Sequence, residues 1–302
     1  MGYLSPERYQ KMRDAKGPTT CLRAGLPAYE ENSRHGKLFK FAGVSPDHAV
    51  HNTDEAAKFV EDRVEEGVDY IKVIADSPGH DQAVLDKIQV EAQKQGKMTV
   101  AHAAQYISFE RSLRADFDIL THVPMDKALD DNVVARMVRQ KTIAVPTLAM
   151  MEVMSKSWAV WGITWLLEWH ATVRNFQYSL DSVAAMHQAG VTILAGTDAN
   201  NSGIATIVPG KSLHHELELL VRAGLMPIEV LKAATSLAAQ HFDLQDRGRI
   251  SPGLRADLIL VRGNPDEDIT ATQRISRVWS GGEEVPMASE GLFASLGSCA
   301  VI

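Results

Sequence analysis

The chain has 302 residues, 45% of them hydrophobic and 23% charged, and a formal net charge of −7, which are ordinary values for a soluble globular protein. The acidic balance and the absence of any Lys/Arg run argue against a nucleic-acid binder, and no stretch reaches the roughly 18 apolar residues of a membrane span. Two distant cysteines, Cys21 and Cys299, do not make a disulfide framework, and the polar N-terminus has no apolar signal core, so a cytoplasmic protein is the expectation.

In chain order, "CLRAGLPA" (21–28) reads as a first strand. "TDEAAKFVEDRVEE" (53–66) follows as a helix with Thr53 as N-cap, acids in its first turn, and Ala56, Phe59, Val60 and Val64 on one face. Gly67 ends it and the strand "VDYIKVIAD" (68–76) begins. A helix at 81–95 stops at Gly96 before the strand "MTVAHA" (98–103), and a short helix leads to the strand "DILTHV" (118–123). A helix at 127–140 precedes the strand "TIAVPTL" (142–148). Two longer helices then reach Gly190 and the strand "VTILAGTD" (191–198). Helices at 212–223 and 227–240 come next. After them the texture changes to short β runs split by Gly and Pro turns over 248–285.

Strands alternating with helices imply a parallel sheet with right-handed crossovers. No Gly-rich phosphate loop follows any strand, which favours a (β/α)8-type TIM barrel over a doubly wound sheet. The expected organisation is a barrel over 1–240, a small β-sandwich part over 241–285 and a tail over 286–302. No internal repeat or low-complexity segment is visible.

A parallel barrel carries its active site at the C-terminal ends of its strands. The polar residues there are Lys72, His102 in "VAHA", His122 in "LTHV" and Asp198 in "AGTD". Singly, each has a structural explanation: a lone histidine is more often hydrogen-bonded scaffold, and a buried lysine usually pairs with a carboxylate such as Asp69 or Asp76. Four on successive strands point instead to a metal site. Two neutral imidazoles and a carboxylate suit a divalent ion such as zinc. An ammonium would repel the ion, so Lys72 could join only as a neutral amine or as the carbamate formed with carbon dioxide, and burial supplies the neutral amine.

A lysine on one strand, a histidine on each of the next two and an aspartate on a later one resemble the amidohydrolase superfamily, in its imidazolonepropionase-like and Xaa-Pro-dipeptidase-like branch. "SLHHELELLVRAGLMPIEVLKAAT" (212–235) and "GRISPGLRADLILVRGNP" (248–265) are similar to the same branch, and the resemblance runs from about residue 50 to 285. It implies that Lys72 is a carboxylated lysine bridging two metals, that His102 and His122 hold the second metal, and that Asp198 binds the first and acts as general base and acid. The expected reaction is metal-assisted hydrolysis of an amide-like C–N bond in a small molecule.

The resemblance also asks for a His-x-His pair at the end of a first barrel strand, and the chain has none. His35, His48, His51 and His80 lack that spacing, and His214-His215 are adjacent on a helix. The first strand, and the second with it, is therefore expected to be missing. Such a barrel exposes sheet edges and invites self-association into a homo-oligomer. Three readings stay open: a truncated two-metal hydrolase, a short protein working with one metal on Lys72, His102 and His122, or a catalytically impaired remnant that binds a ligand or partner. Trp158, Trp161, Trp165 and Trp169 share one helical face, read as packing against the barrel, as the wall of an apolar substrate pocket, or as a membrane contact. Asn200, in the loop "GTDANNSG" (196–203), lies on the expected pocket rim.

Overall fold

The first sheet contains four parallel strands lying side by side in chain order: β1 (Ile71–Ile74), β2 (Thr99–His102), β3 (Ile119–Thr121) and β4 (Ile143–Val145). This computed structural model describes residues 7, 9–11, 20–157, 174–200 and 206–286. The architecture is α/β with a parallel sheet, as the alternating pattern implies. Among the described residues no helix is long and apolar enough to cross a membrane.

The crossover helices start where short polar side chains satisfy the free amides of a first turn. Asn52, one residue earlier than expected, accepts from the Asp54 and Glu55 amides and opens the helix Thr53–Glu65, which buries Ala56, Phe59 and Val60. Asp130 caps Asp131–Gln140 in the same way. The helices Gln82–Lys94 and Tyr106–Ala115 bury Val84, Leu85 and Ile88, and Phe109 and Leu113. In β1, Ile71, Val73 and Ile74 are all buried, so the sheet is covered on both faces.

A helix that the periodicity does not announce, Arg34–Phe41, precedes all of this. Ser33 caps it by accepting from the Gly36 amide, and Phe39 packs on Tyr29 with ring centroids 4.7 Å apart. Gly36 is obligatory there: a Cβ on it would lie 2.3 Å from the carbonyl oxygens of both Glu30 and Glu31.

Three expected elements change. Segment 21–28 forms a single parallel bridge, Ala28 to Val73, in place of a full strand. Segment 191–198 forms no regular ladder among the described residues. Its Thr192 carbonyl accepts from Ala144 at 2.9 Å, and Ala195 turns away to donate to Ala233. The helix expected at 227–240 divides into Pro227–Ala233 and Ser236–His241, with Thr235 between them bonding its own hydroxyl back to the Leu231 carbonyl at 2.6 Å.

The chain separates into two compact units. The parallel sheet and the helices between its strands belong to one built on Cys21–Pro146 and Thr172–Thr192; the other is built on Thr147–Ala171 and Ile193–Ile302. The second holds the helices Leu148–Lys156 and Lys211–Arg222 and an antiparallel sheet of β5 (Leu258–Val261), β6 (Ile275–Ser280) and β7 (Glu283–Glu284). Thr147, at the head of Leu148–Lys156, has no side-chain cap bond. Glu216 takes over from the neighbouring helix, its carboxylate accepting from the Leu148 amide at 2.9 Å and the Ala149 amide at 2.6 Å. Burial pushes its pKa up to about 8, and the two amides work against that shift. Glu216→Ala is expected to lower the unfolding free energy by about 3 kcal/mol in urea titration, because two buried amide donors lose their acceptor at once. A loss below about 1 kcal/mol would show that another group takes over the cap.

Candidate metal centre

The register of the parallel sheet decides which side chains meet. Lys72 pairs with Val100, and Val100 with Ile119; two residues on, Ile74 pairs with His102, and His102 with Thr121. Residues two apart on a strand share a face, and paired residues of neighbouring strands do too. Lys72, His102 and Thr121 therefore face the same way. Lys72 is the second residue of β1 and not a strand-end residue, but its long stem spans the difference. Its Nζ donates to Thr121 Oγ1 at 3.0 Å, and Thr121 donates on to the Ala101 carbonyl at 2.9 Å.

His122 lies one residue beyond β3, where alternation alone would turn it to the other face. Its backbone is left-handed, with φ 74°, and its amide donates to Val145 at 2.9 Å. Its ring meets the His102 ring edge-on, with centroids 4.3 Å apart. Of the strand-end residues read from the sequence, Lys72, His102 and His122 thus gather in the first unit. Asp198 and Asn200 belong to the second unit. There Asp198 is also left-handed, at φ 50°, and its carbonyl accepts from the Asn200 side chain at 2.9 Å. Trp158, Trp161 and Trp165 lie outside the described residues.

Two residues join that the sequence reading did not place here. The His35 ring, from the helix Arg34–Phe41, packs edge-on against His102 with centroids 4.3 Å apart, so three imidazoles stand in a row. Asp76, just after β1, is 4% exposed. Its Oδ2 lies 3.3 Å from His35 Nδ1 and 3.3 Å from His102 Nε2. Asp76 faces the imidazoles, and Asp69 accepts from the Tyr9 hydroxyl at 3.0 Å and the Arg23 amide at 2.7 Å. The second Asp76 oxygen accepts from Ser108 Oγ at 3.1 Å and the Ala104 amide at 3.4 Å. Arg111 fastens the loop after β1 by donating to the carbonyls of Ala75, Asp76 and His80. The polar residue closing "YIKVIAD" was the one available signal for Asp76. His35 had none stronger than the cap-like Ser33 before it.

Burial pushes the Asp76 carboxyl pKa up, but His102 and His35 outweigh it and hold the group well below the usual carboxylate range. Burial drives His102 down to about 4, with the charges of His35 and Lys72 helping and Asp76 opposing. His122 falls well below its ordinary value, again through burial first and His102 second. Near neutral pH the Asp76 carboxylate is thus ionised and the His102 and His122 imidazoles are neutral, and neutral imidazole nitrogen is the form that binds metals.

Residues 4–285 match the profile of the Amidohydrolase family. The chain belongs to that family. It is 27% identical over 286 residues to the ochratoxinase of Aspergillus niger, a match covering 85% of this chain and 55% of that protein. It is 39% identical over 92 residues to the imidazolonepropionase of Paracoccus denitrificans, which covers 29% of this chain and 20% of that one. The chain thus spans about half the length of the curated ochratoxinase it matches. Among solved structures, a Xaa-Pro dipeptidase with methionine bound in its active site superposes with a TM-score of 0.78 at 23% identity, over 94% of this chain and 73% of that one. This likeness shows the amidohydrolase barrel fold. Amidohydrolases generally depend on divalent metal ions, and the cluster suits one. His35 Nδ1, an Asp76 oxygen and His102 Nε2 lie within 4.8 Å of one another, and His35 Nδ1 is buried without a hydrogen-bond partner.

The depressed histidines also set a pH dependence. His102 and His80 are both lowered from 6.5 to about 4, each mainly by burial. The unfolded chain therefore binds more protons than the folded one between these values, and the stabilisation present above pH 6.5 is lost as pH falls towards 4. In the presence of a chelator, the melting temperature is expected to drop progressively from pH 7 to pH 4.5. A flat profile would mean that these imidazoles are not held neutral by the fold.

Proposed function

We propose that this chain is a divalent-metal-dependent hydrolase of an amide-like C–N bond in a small molecule: a peptide, an N-acyl amino acid or a cyclic amide. The observation that carries the reading is the convergence of Lys72, His102 and His122 on one region of the parallel sheet. In this reading His102, His122 and Lys72, the last as its carbamate, hold the ion, most simply zinc, and Asp198 completes the centre. The names of relatives, ochratoxinase and Xaa-Pro dipeptidase, agree with hydrolysis of small molecules but do not select among these substrates.

A bound divalent cation supplies Lewis-acid polarisation of a carbonyl and makes water acidic enough to ionise near neutral pH. The chain's own groups do the rest. Asp198 accepts the proton of the attacking water, a C–O bond forms at the carbonyl carbon, and the C–N bond breaks. Asp198 then returns the proton to the leaving nitrogen, so one water gives one acid and one amine. Thr121 holds Lys72 in place through its hydroxyl and anchors to the Ala101 carbonyl. His102 and His122, neutral by burial, offer lone pairs and not charge.

A second reading, a catalytically silent protein that binds a ligand or partner, is favoured by the absence of a His-x-His pair from all 302 residues. Metal content and turnover separate the two. After expression with zinc and bicarbonate, elemental mass spectrometry should find about one tightly bound metal per chain or more, lost in Lys72→Ala. Asp198→Asn should keep at least one metal but lose turnover on dipeptides or N-acyl amino acids by about 100-fold or more. Unchanged activity in either variant would sink the mechanism.

A further inference from the structure

We propose that His35 and Asp76 join His102 in a three-ligand metal site of this chain's own, taking a zinc-class divalent ion and leaving one position open. The proposal rests on the metal dependence read above and concerns which residues hold the ion: neutral His102 has one lone pair to give, so this set and the Lys72–His102–His122 set are alternatives for it. The resemblance assigns a first-metal pair to a His-x-His motif that the sequence lacks, and it assigns nothing to His35 or Asp76.

Two of the three donor distances match a tetrahedral site. Tetrahedral zinc ligands at about 2.0–2.1 Å stand about 3.3 Å from each other. His35 Nδ1 and His102 Nε2 each lie 3.3 Å from the same Asp76 oxygen, and the three donor atoms fall within 4.8 Å of one another. His35 Nδ1 is buried and faces the Asp76 carboxylate at 3.3 Å.

Charge points the same way. A buried carboxylate needs a compensating positive group. Among the described residues, those within ion-pair distance of Asp76 are the two imidazoles. Arg111, close by, spends its guanidinium on the backbone carbonyls of Ala75, Asp76 and His80. One carboxylate and two neutral nitrogens leave a divalent ion with a residual positive charge and a fourth position for water or substrate.

The supports are those of a built site. Fully buried Ser108 and the Ala104 amide orient the far oxygen of Asp76, as the outer partners of metal ligands do. Arg111 fixes the loop. Ser33 and the close approach at Gly36 fix the helix that carries His35. The three ligands come from three elements, a helix before β1, the loop after it and the end of β2, the last two tied together by the Ala75 amide donating to the His102 carbonyl at 3.0 Å.

The test is cobalt(II) and zinc binding to the chelator-stripped chain, followed by the visible cobalt spectrum and by competition with a coloured chelator. His35→Ala and Asp76→Asn should each weaken binding by more than about 100-fold, beyond the 10–100-fold typical of residues that only orient a ligand. Circular dichroism checks the fold, and His35 tolerates removal because it lies on a separately capped helix. His35→Cys is the decisive variant: it should restore binding and add a thiolate-to-cobalt band in the near ultraviolet, which a purely structural role for His35 would not produce. If the native chain binds metal and His35→Ala keeps the same affinity and spectrum while Lys72→Ala loses them, this site is overturned and the reading under Proposed function stands. If the native chain binds neither ion, the metal-dependent reading fails and this site fails with it.

Discussion

The register between β1, β2 and β3 is the constraint on which the rest of the centre depends. Because Lys72 stands two residues before the position paired with His102 and Thr121, its amine reaches Thr121 from the same face and needs no distortion of the strand. A slip of one residue in either ladder would send Lys72 or His102 to the opposite face, among the covering helices. The buried aliphatic residues of β1 and β2 make that slip costly, since Val73, Ala101 and Ile74 would have to change places with polar groups. Core packing and the alignment of polar groups are thus one requirement met once.

Backbone conformation adds a second layer. Among the described non-glycine residues with left-handed backbone, Asp116 and Lys141 terminate helices, and Asp243 follows the end of one, where that conformation is common. His122 and Thr147 are different: each follows a strand, and each stands where the chain leaves the sheet. Asp198 shares their conformation just after Thr197. Left-handed backbone at a branched or ring-bearing residue costs energy that the surroundings must supply, and such residues cluster where side-chain direction matters more than local comfort. For His122 the result is visible, since the turn brings its ring to His102 when simple alternation would have taken it away.

Much of this was legible in the sequence, for identifiable reasons. β1 to β4 and the helices between them follow from hydrophobic period, capping residues and glycine stops, all of which act over a few residues. Lys72, His102 and His122 could be singled out because charged or imidazole groups at the ends of apolar runs are conspicuous. His35 could not. Its helix is only eight residues long, and its place depends on a backbone-to-backbone approach at Gly36 that no periodicity encodes. Asp76 was visible as a carboxylate, but only as one candidate partner for a structural lysine. Proximity in sequence suggested Lys72, whereas Arg111 and Ser108, more than thirty residues away, turn it towards the imidazoles. The stretch 191–198 looked like a strand because its composition is that of one. It loses the ladder because Ala195 pairs with a helix carbonyl, a partner 38 residues further on that composition does not reveal.

Gly36 has a meaning for how such a centre can be lost. Its missing side chain sets the thickness of the gap between the helix Arg34–Phe41 and the turn at Glu30–Glu31, because even a methyl group would overlap two carbonyl oxygens at 2.3 Å. Any replacement must lift the helix by about the size of the overlap, on the order of 1 Å, and the neighbouring imidazole rides with it. A silent-looking change from glycine to alanine, touching no polar group, would then disconnect His35 from Asp76 and leave every other bond of the cluster in place. Drift away from this arrangement therefore has an easy route through a spacer that carries no chemistry of its own, and glycine or another residue at position 36 becomes the simplest mark by which chains that keep the His35 contact can be told from chains that have let it go.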